Sequence, residues 1–388
     1  MGDAAEVRIH GFVAPGYEAV ADEFRTNFTE RGDHGAGFAA VVDGRTVVDL
    51  WGGWADSGSR RPWREDTIAG IFSGTKGFVA TCLLLLIERG QLQLDSPVGA
   101  YWPEFAARGK ERILVRHLVS HQACLPGLAT PVSVEEATDD VRMARLLADQ
   151  SPVREPGTIL YYHALTFGWL CGELIRRIDG RSVGRLFAED VARPLGLDAW
   201  IGLPPEQEPR VAVLERGENY GAKRSDLDTD RVAWSIWDNP PRSRPYPLPL
   251  NSRSWRAAEV PGGNGIASAR AAARLYGCLA RGGELEGTRI LRPETIALGY
   301  TCLARGVEPY LEQELAYGVG FGLQTREALF GSVPVGFGHD GAGGSLHGAW
   351  PTLKTGFSYV TNTLRQFEGH DPRSGSLLAA LSACVQSP

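Results

Sequence analysis

Strand-type patterns lie at the two ends of this chain and helix-type patterns fill its middle. That order most limits what the 388 residues can fold into. Near the start, residues 37–42 (GFAAVV) and 46–51 (TVVDLW) flank Asp43-Gly44-Arg45, the pattern of a hairpin closed by a D-G turn. Near the end, residues 317–323, 333–339, 345–349 and 356–362 read as further strands. Between them, residues 134–149, 166–178 and 183–191 read as helices, with short helix starts at 95–98 and 113–119. Residues 17–31 form an amphipathic helix with Val20, Phe24 and Phe28 at i, i+4 and i+8. Residues 267–279 and 375–385 add two more helices. The simplest packing is one antiparallel sheet made from both chain ends, covered by the terminal helices, with the helical region inserted beside it. The expectation is an α/β fold of the α+β type in one unit, 1–388. Its α/β part covers about 1–95 and 260–388, and a helical and loop-rich insert covers about 96–259.

Ser73-Gly74-Thr75-Lys76 opens the apolar run 77–87 (GFVATCLLLLI). On a helix, residues three apart share a face, so a hydroxyl and an amine at this spacing meet. A serine hydroxyl needs a base to become a nucleophile, and a lysine supplies one if burial or a neighbouring cation lowers its pKa. The chain has four lysines (Lys76, Lys110, Lys223 and Lys354) against 36 arginines, and arginine does not lose its proton. The motif alone also fits an N-cap serine followed by a solvated lysine.

The net charge of −6 argues against a general nucleic-acid or anionic-membrane binder. The longest apolar run is too short to span a bilayer, and no secretory signal is visible. The six cysteines (82, 124, 171, 278, 302 and 384) are scattered without a C-x-x-C. They read as reduced thiols of a cytoplasmic protein and not as a disulfide frame or zinc site. His117 and His121 have zinc-like spacing, but Leu118 stands where H-E-x-x-H carries glutamate, so no metal is expected. No G-x-S-x-G elbow occurs, which disfavours the alpha/beta-hydrolase fold.

Residues 156–169 (PGTILYYHALTFGW) form a turn leading into a helix, where a tyrosine hydroxyl can project into a cleft or simply pack. Residues 338–345 (GHDGAGGS) form a glycine-rich strand end, where backbone approaches a ligand closely. Such an edge can give one oxyanion N–H, the serine at its helix N-terminus the other. Residues 204–261 are rich in Pro, Arg and Trp. They are read as a wall or lid of the cleft carrying Trp234, Trp237 and Trp255, or else as an excursion that packs its own tryptophans.

Four stretches together resemble the serine beta-lactamase / penicillin-binding-protein superfamily: 71–77 (IFSGTKG); 94–98 with 113–127 (LDSPV, ILVRHLVSHQACLPG); 156–162; and 337–345 (FGHDGAGGS). The likeness is greatest to its family VIII carboxylesterase branch. The resemblance implies a beta-lactamase-like fold, with Ser73 as acyl-accepting nucleophile, Lys76 as its base and Tyr162 as the tyrosine of the second motif. Tyr161 is the alternative if the register slips by one. His339-Asp340-Gly341 stands where penicillin-recognising members carry Lys-Thr-Gly. The Ser73 and Ala342 N–H groups become the oxyanion donors, and His339 and Gly341 line the substrate. Two departures bear on substrate. Tyr162-His163-Ala164 lacks the asparagine two residues after the tyrosine, and His339 replaces a lysine that helps hold a carboxylate. Neutral esters therefore fit better than penicillins. The expectation is a cofactor-free carboxylesterase acting on a small-molecule ester. The rivals are acyl transfer to a metabolite, amidase, peptidase or weak beta-lactamase activity, and a non-catalytic binding protein with the same fold. Oligomeric state is not legible.

Overall fold

A computed structural model describes residues 7–222, 224–243, 245–367 and 369–386. Its main sheet is antiparallel and joins both chain ends, in the order Ile9–Val13, Arg45–Asp56, Gly35–Val42, Thr355–Thr361, Leu346–Trp350, Phe337–Asp340, Gly322–Leu323, Gln313–Tyr317 and Ala304–Glu308. The short strand Arg61–Pro62 also pairs with Arg45–Asp56. The seam between the ends is the pairing of Gly35–Val42 with Thr355–Thr361, in which Ala40 stands opposite Phe357. The D-G hairpin is present, with Asp43 (φ 44°) and Gly44 (φ 82°) both in the left-handed region that a type I′ turn requires.

The central strands are apolar on both faces because both are covered. Phe38 and Ala40 point to one side, where Val20 and Phe24 of helix Glu18–Thr29 meet Leu377 and Leu381 of helix Pro372–Gln386. Ala39 and Val41 point to the other, against helix Ala269–Ala280. That helix lies very close to the sheet: a Cβ on Gly356 would stand 2.0 Å from the Gly277 nitrogen. Helix Thr75–Glu88 is buried from Thr75 through Leu86, so it is apolar all round and needs no polar face. It packs against helix Thr166–Asp179.

The structure departs from the sequence expectation in several places. Residues 317–323 are not one strand. Gln313–Tyr317 ends, the chain reverses around Gly320 (φ 75°), and Gly322–Leu323 returns. Residues 333–339 yield only Phe337–Asp340, because Pro334 has no N–H for a ladder. Residues 183–191 are a short helix, Val183–Phe187, followed by a π turn, Ala188–Ala192. Among its described residues the proline-rich stretch contains two short α-helices, each capped by a side chain. Asp230 accepts from the N–H groups of Val232 and Ala233 at the head of Arg231–Trp237, and Ser252 caps Arg253–Ala257. A second, three-stranded sheet, Ala69–Phe72, Gly265–Ala267 and Ala199–Trp200, is not evident from the sequence patterns, and it leads directly into Ser73. All six cysteines are unpaired. No helix among the described residues is long and apolar enough to cross a membrane.

Candidate active site

The strand Ala69–Phe72 delivers the chain to Ser73 through a strained residue. Phe72 is left-handed (φ 49°), unfavourable for an aromatic side chain and costly unless its surroundings enforce it. Thr75 enforces it: its hydroxyl donates to the Phe72 carbonyl (2.5 Å) and accepts from the Gly265 N–H (2.7 Å). The helix proper starts at Thr75, two residues after the serine. Its entry is wound tightly, with the Lys76 N–H donating to the Ser73 carbonyl (2.9 Å) and the Gly77 N–H to the Gly74 carbonyl (3.1 Å). In such a 3₁₀ turn, side chains three apart eclipse. Lys76 Nζ accordingly lies 3.0 Å from Ser73 Oγ.

Lys76 is completely buried. Its Nζ donates to two carbonyls, Ala164 and Gly262, each at 2.7 Å. Burial pushes the amine well below the ordinary lysine range. The Asp340 carboxylate opposes that displacement and the Arg242 guanidinium adds to it. The Tyr162 hydroxyl donates to Ser73 Oγ at 2.7 Å. Burial, reinforced by Asp340, pushes this phenol above its usual range, so it keeps its proton near neutrality.

Tyr162 is held on all sides. Its N–H donates to Glu308 (3.2 Å), a buried carboxylate that also accepts from the N–H groups of Tyr310 and Leu311 (2.8 and 2.7 Å). Trp237 and Tyr317 stack on its ring, with centroids 6.3 and 6.5 Å away, and His121 and His339 complete an aromatic surround. Tyr161 packs against Tyr310 instead. His163 is locked: Nδ1–H donates to the Tyr161 carbonyl (2.7 Å) and Nε2 accepts from the Leu125 N–H (3.1 Å). Ala164, where the penicillin-recognising pattern has asparagine, contributes its carbonyl to Lys76.

Opposite Ser73 runs the turn after strand Phe337–Asp340. The Gly341 N–H donates to the Ser345 carbonyl (2.7 Å), and the Ser345 hydroxyl donates to the Ile71 carbonyl (3.3 Å). A Cβ on Gly341 would stand 2.4 Å from that same carbonyl, so only glycine allows this approach. The N–H groups of Ser73 and Ala342 have no protein hydrogen-bond partner among the described residues. His339 is buried; its Nδ1–H donates to the Asp340 carbonyl (2.8 Å) and lies 3.2 Å from the Asp340 carboxylate, and Nε2 has no protein partner among the described residues.

Of the three tryptophans expected along the cleft, the structure brings one to Tyr162. Trp237 stacks there. Trp234 is a correction: it lines a separate groove with Pro131, Val132 and Pro241, under the Arg231 guanidinium. Trp255 is buried and lines a small cavity with Phe72, Leu214, Leu250 and Gly263, beside the residues that flank Ser73 and Gly262. Trp234 follows the alternative in which the stretch packs its own aromatics. His117 and His121 are not a helical pair, because the helix Val115–Val119 ends before His121.

The sequence reading missed Glu308, Tyr317, Gly262 and Arg242. Gly262 lies in 261–265 (PGGNG), a glycine-rich turn open to notice; Tyr317 was read only as the start of a strand. Glu308 and Arg242 carry no sequence signal.

The Beta-lactamase family model matches residues 24–380, and the chain belongs to that family. Within it, the chain is similar to the esterase/beta-lactamase LipL of Mycobacterium tuberculosis (strain ATCC 25618 / H37Rv), with 37% identity over 94% of this chain and 85% of that protein. It superposes on the crystal structure of a family VIII carboxylesterase with TM-score 0.90 and 38% identity, covering 97% of this chain and 100% of the other. A penicillin-binding protein homologue from Caulobacter crescentus gives TM-score 0.89 and 35% identity over 97% of this chain and 100% of that one.

Proposed function

We propose that this protein hydrolyses small carboxylic esters through an acyl-enzyme on Ser73. The observation that carries the reading is the arrangement of oxygens around Lys76 Nζ: two backbone carbonyls at 2.7 Å and Ser73 Oγ at 3.0 Å. An ammonium would place one hydrogen on each. A neutral amine, favoured by complete burial, has two hydrogens and one lone pair. The carbonyls take the hydrogens, and the lone pair faces the serine hydroxyl.

In this mechanism Lys76 accepts the Ser73 proton as Oγ attacks the ester carbonyl. The N–H groups of Ser73 and Ala342 stabilise the oxyanion. Tyr162, still protonated, donates to the departing alkoxide, and the proton on Lys76 refills it. Water activated by the same pair then releases the acid. Residues 1–388 act as one catalytic unit and require no cofactor for these steps. His339 stands in place of the lysine of Lys-Thr-Gly, and its imidazole, already engaged by Asp340, is a poorer anchor for a substrate carboxylate, which favours neutral esters. The names borne by LipL and by the family VIII carboxylesterase structure support the ester reading. The double name of LipL also favours a second, weaker activity, slow beta-lactam opening at the same serine. Turnover of a p-nitrophenyl ester by wild type and by Ser73→Ala tests the mechanism. Unchanged turnover in the variant removes it.

A further inference from the structure

The turn that carries Ala342 is anchored from behind by a buried charge network unused in the mechanism above. Arg373, in the first turn of helix Pro372–Gln386, has no exposed side-chain surface, and neither has its partner Asp33. Every N–H of the guanidinium is engaged. Nη1 donates to Asp33 (2.8 Å) and the Thr363 carbonyl (2.8 Å). Nη2 donates to Asp371 (2.7 Å) and the Gly343 carbonyl (2.7 Å), and Nε donates to Asp371 (3.0 Å). Asp33 in turn accepts from the hydroxyls of Tyr359 and Thr361, and Asn27 donates to the Arg373 carbonyl.

Gly343 directly follows Ala342. Its carbonyl takes the Arg373 bond and a second one from the Arg365 N–H (3.2 Å). Gly344 lies against the guanidinium so closely that a Cβ there would stand 2.2 Å from Nη2 and from Asp371 Oδ2. Both glycines are left-handed (φ 96° and 119°), so the turn needs external restraint to keep one shape. A buried ion pair contributes little net stability compared with apolar packing, so its presence suggests a role in fixing orientation. We infer that Arg373 is a positioning residue for the oxyanion turn: by gripping the Gly343 carbonyl it keeps the Ala342 N–H aimed at the carbonyl oxygen of a substrate bound at Ser73. The inference rests on the proposed role of Ala342.

The experiment compares Arg373→Gln and Arg373→Lys with Asp33→Asn, which disturbs the same network but leaves the Gly343 bond in place. Rates on a p-nitrophenyl ester are expressed per titrated active site. Affinity for phenylboronic acid is measured alongside, since its serine adduct places an oxygen where the oxyanion forms. Misplacement of a reacting group by about an ångström costs up to about 10²-fold. Both Arg373 variants are therefore expected to lose about 10- to 100-fold in kcat, with KM unchanged, and boronate affinity by a similar factor. Asp33→Asn is expected to lower the thermal midpoint while keeping kcat near wild type. If Arg373→Gln fails to fold, Arg373→Lys carries the test, because it keeps a cation between the two carboxylates. Arg373 variants with wild-type kcat and boronate affinity overturn the inference, as does an Asp33→Asn loss of kcat equal to theirs. Failure of the parent reading looks different: wild type itself would then form no Ser73 adduct.

Discussion

Tyr162→Phe separates the proposed acid from every other part of the site. The change deletes one hydroxyl and leaves the ring, with its stacking on Trp237 and Tyr317, in place. The lost bond is the 2.7 Å contact with Ser73, worth about 0.5–1.5 kcal/mol of stability at most, so the variant is expected to fold. Its kinetic cost is larger. General acid catalysis contributes about 10²–10⁴-fold, which is about 3–5 kcal/mol at 1.36 kcal/mol per decade. That cost must depend on the leaving group. An ethoxide is a strong base and needs a proton as the bond breaks, whereas p-nitrophenolate leaves readily without one. The assay is kcat/KM for the ethyl and p-nitrophenyl esters of one acid, in wild type and variant. The ethyl ester is expected to lose about 10²–10⁴-fold and the p-nitrophenyl ester far less. Equal losses on both esters, or no loss on the ethyl ester, refute the assignment of Tyr162 as proton donor.

Three further outcomes are expected. Lys76 acts as base only when neutral, so the acid limb of the kcat/KM profile follows its pKa. Asp340 raises that pKa and Arg242 lowers it, so Asp340→Asn should move the limb to lower pH and Arg242→Gln to higher pH; shifts of the opposite sign contradict the assignment. Burial holds the His163 and His347 imidazoles neutral, down to about 4 and about 3, against about 6.5 in the unfolded chain. A depressed imidazole pKa means that stability is complete above about pH 6.5 and falls as pH drops towards the folded values, in the limit by about 3 kcal/mol for His163 and about 5 kcal/mol for His347. Urea midpoints between pH 7 and 4.5 should fall, and a flat series contradicts this. Gly356→Ala would place a Cβ 2.0 Å from the Gly277 nitrogen and 2.4 Å from the Tyr276 carbonyl carbon, both backbone atoms. The expected cost is about 1–3 kcal/mol by urea unfolding, and an unchanged midpoint would deny the close approach.

What could be read from the residues divides along physical lines. The D-G hairpin, the apolar strands and the terminal helices depend on local periodicity and turn chemistry, which a sequence displays. The Ser73–Lys76 spacing was legible for the same reason, although the turn that makes them meet is a 3₁₀ entry and not the helix itself. Two-residue and three-residue strands such as Gly322–Leu323 and Gly265–Ala267 are too short to show a period, so the second sheet stayed hidden. Contacts between distant segments were also invisible. Nothing at Glu308 announces that its carboxylate accepts the Tyr162 N–H 146 residues away. Trp234 misled because aromatic enrichment marks a cleft wall and a packed loop alike.

The central claim is that Ser73 carries the acyl group, and intact-protein mass spectrometry tests it most directly. Wild type and Ser73→Ala are quenched in acid within the first turnovers on a panel of short-chain p-nitrophenyl esters and beta-lactams. Wild type should gain the mass of one acyl group from each ester it turns over, located by peptide mapping on the segment containing Ser73, and Ser73→Ala should gain none. An adduct elsewhere, or one that persists in Ser73→Ala, would contradict the mechanism.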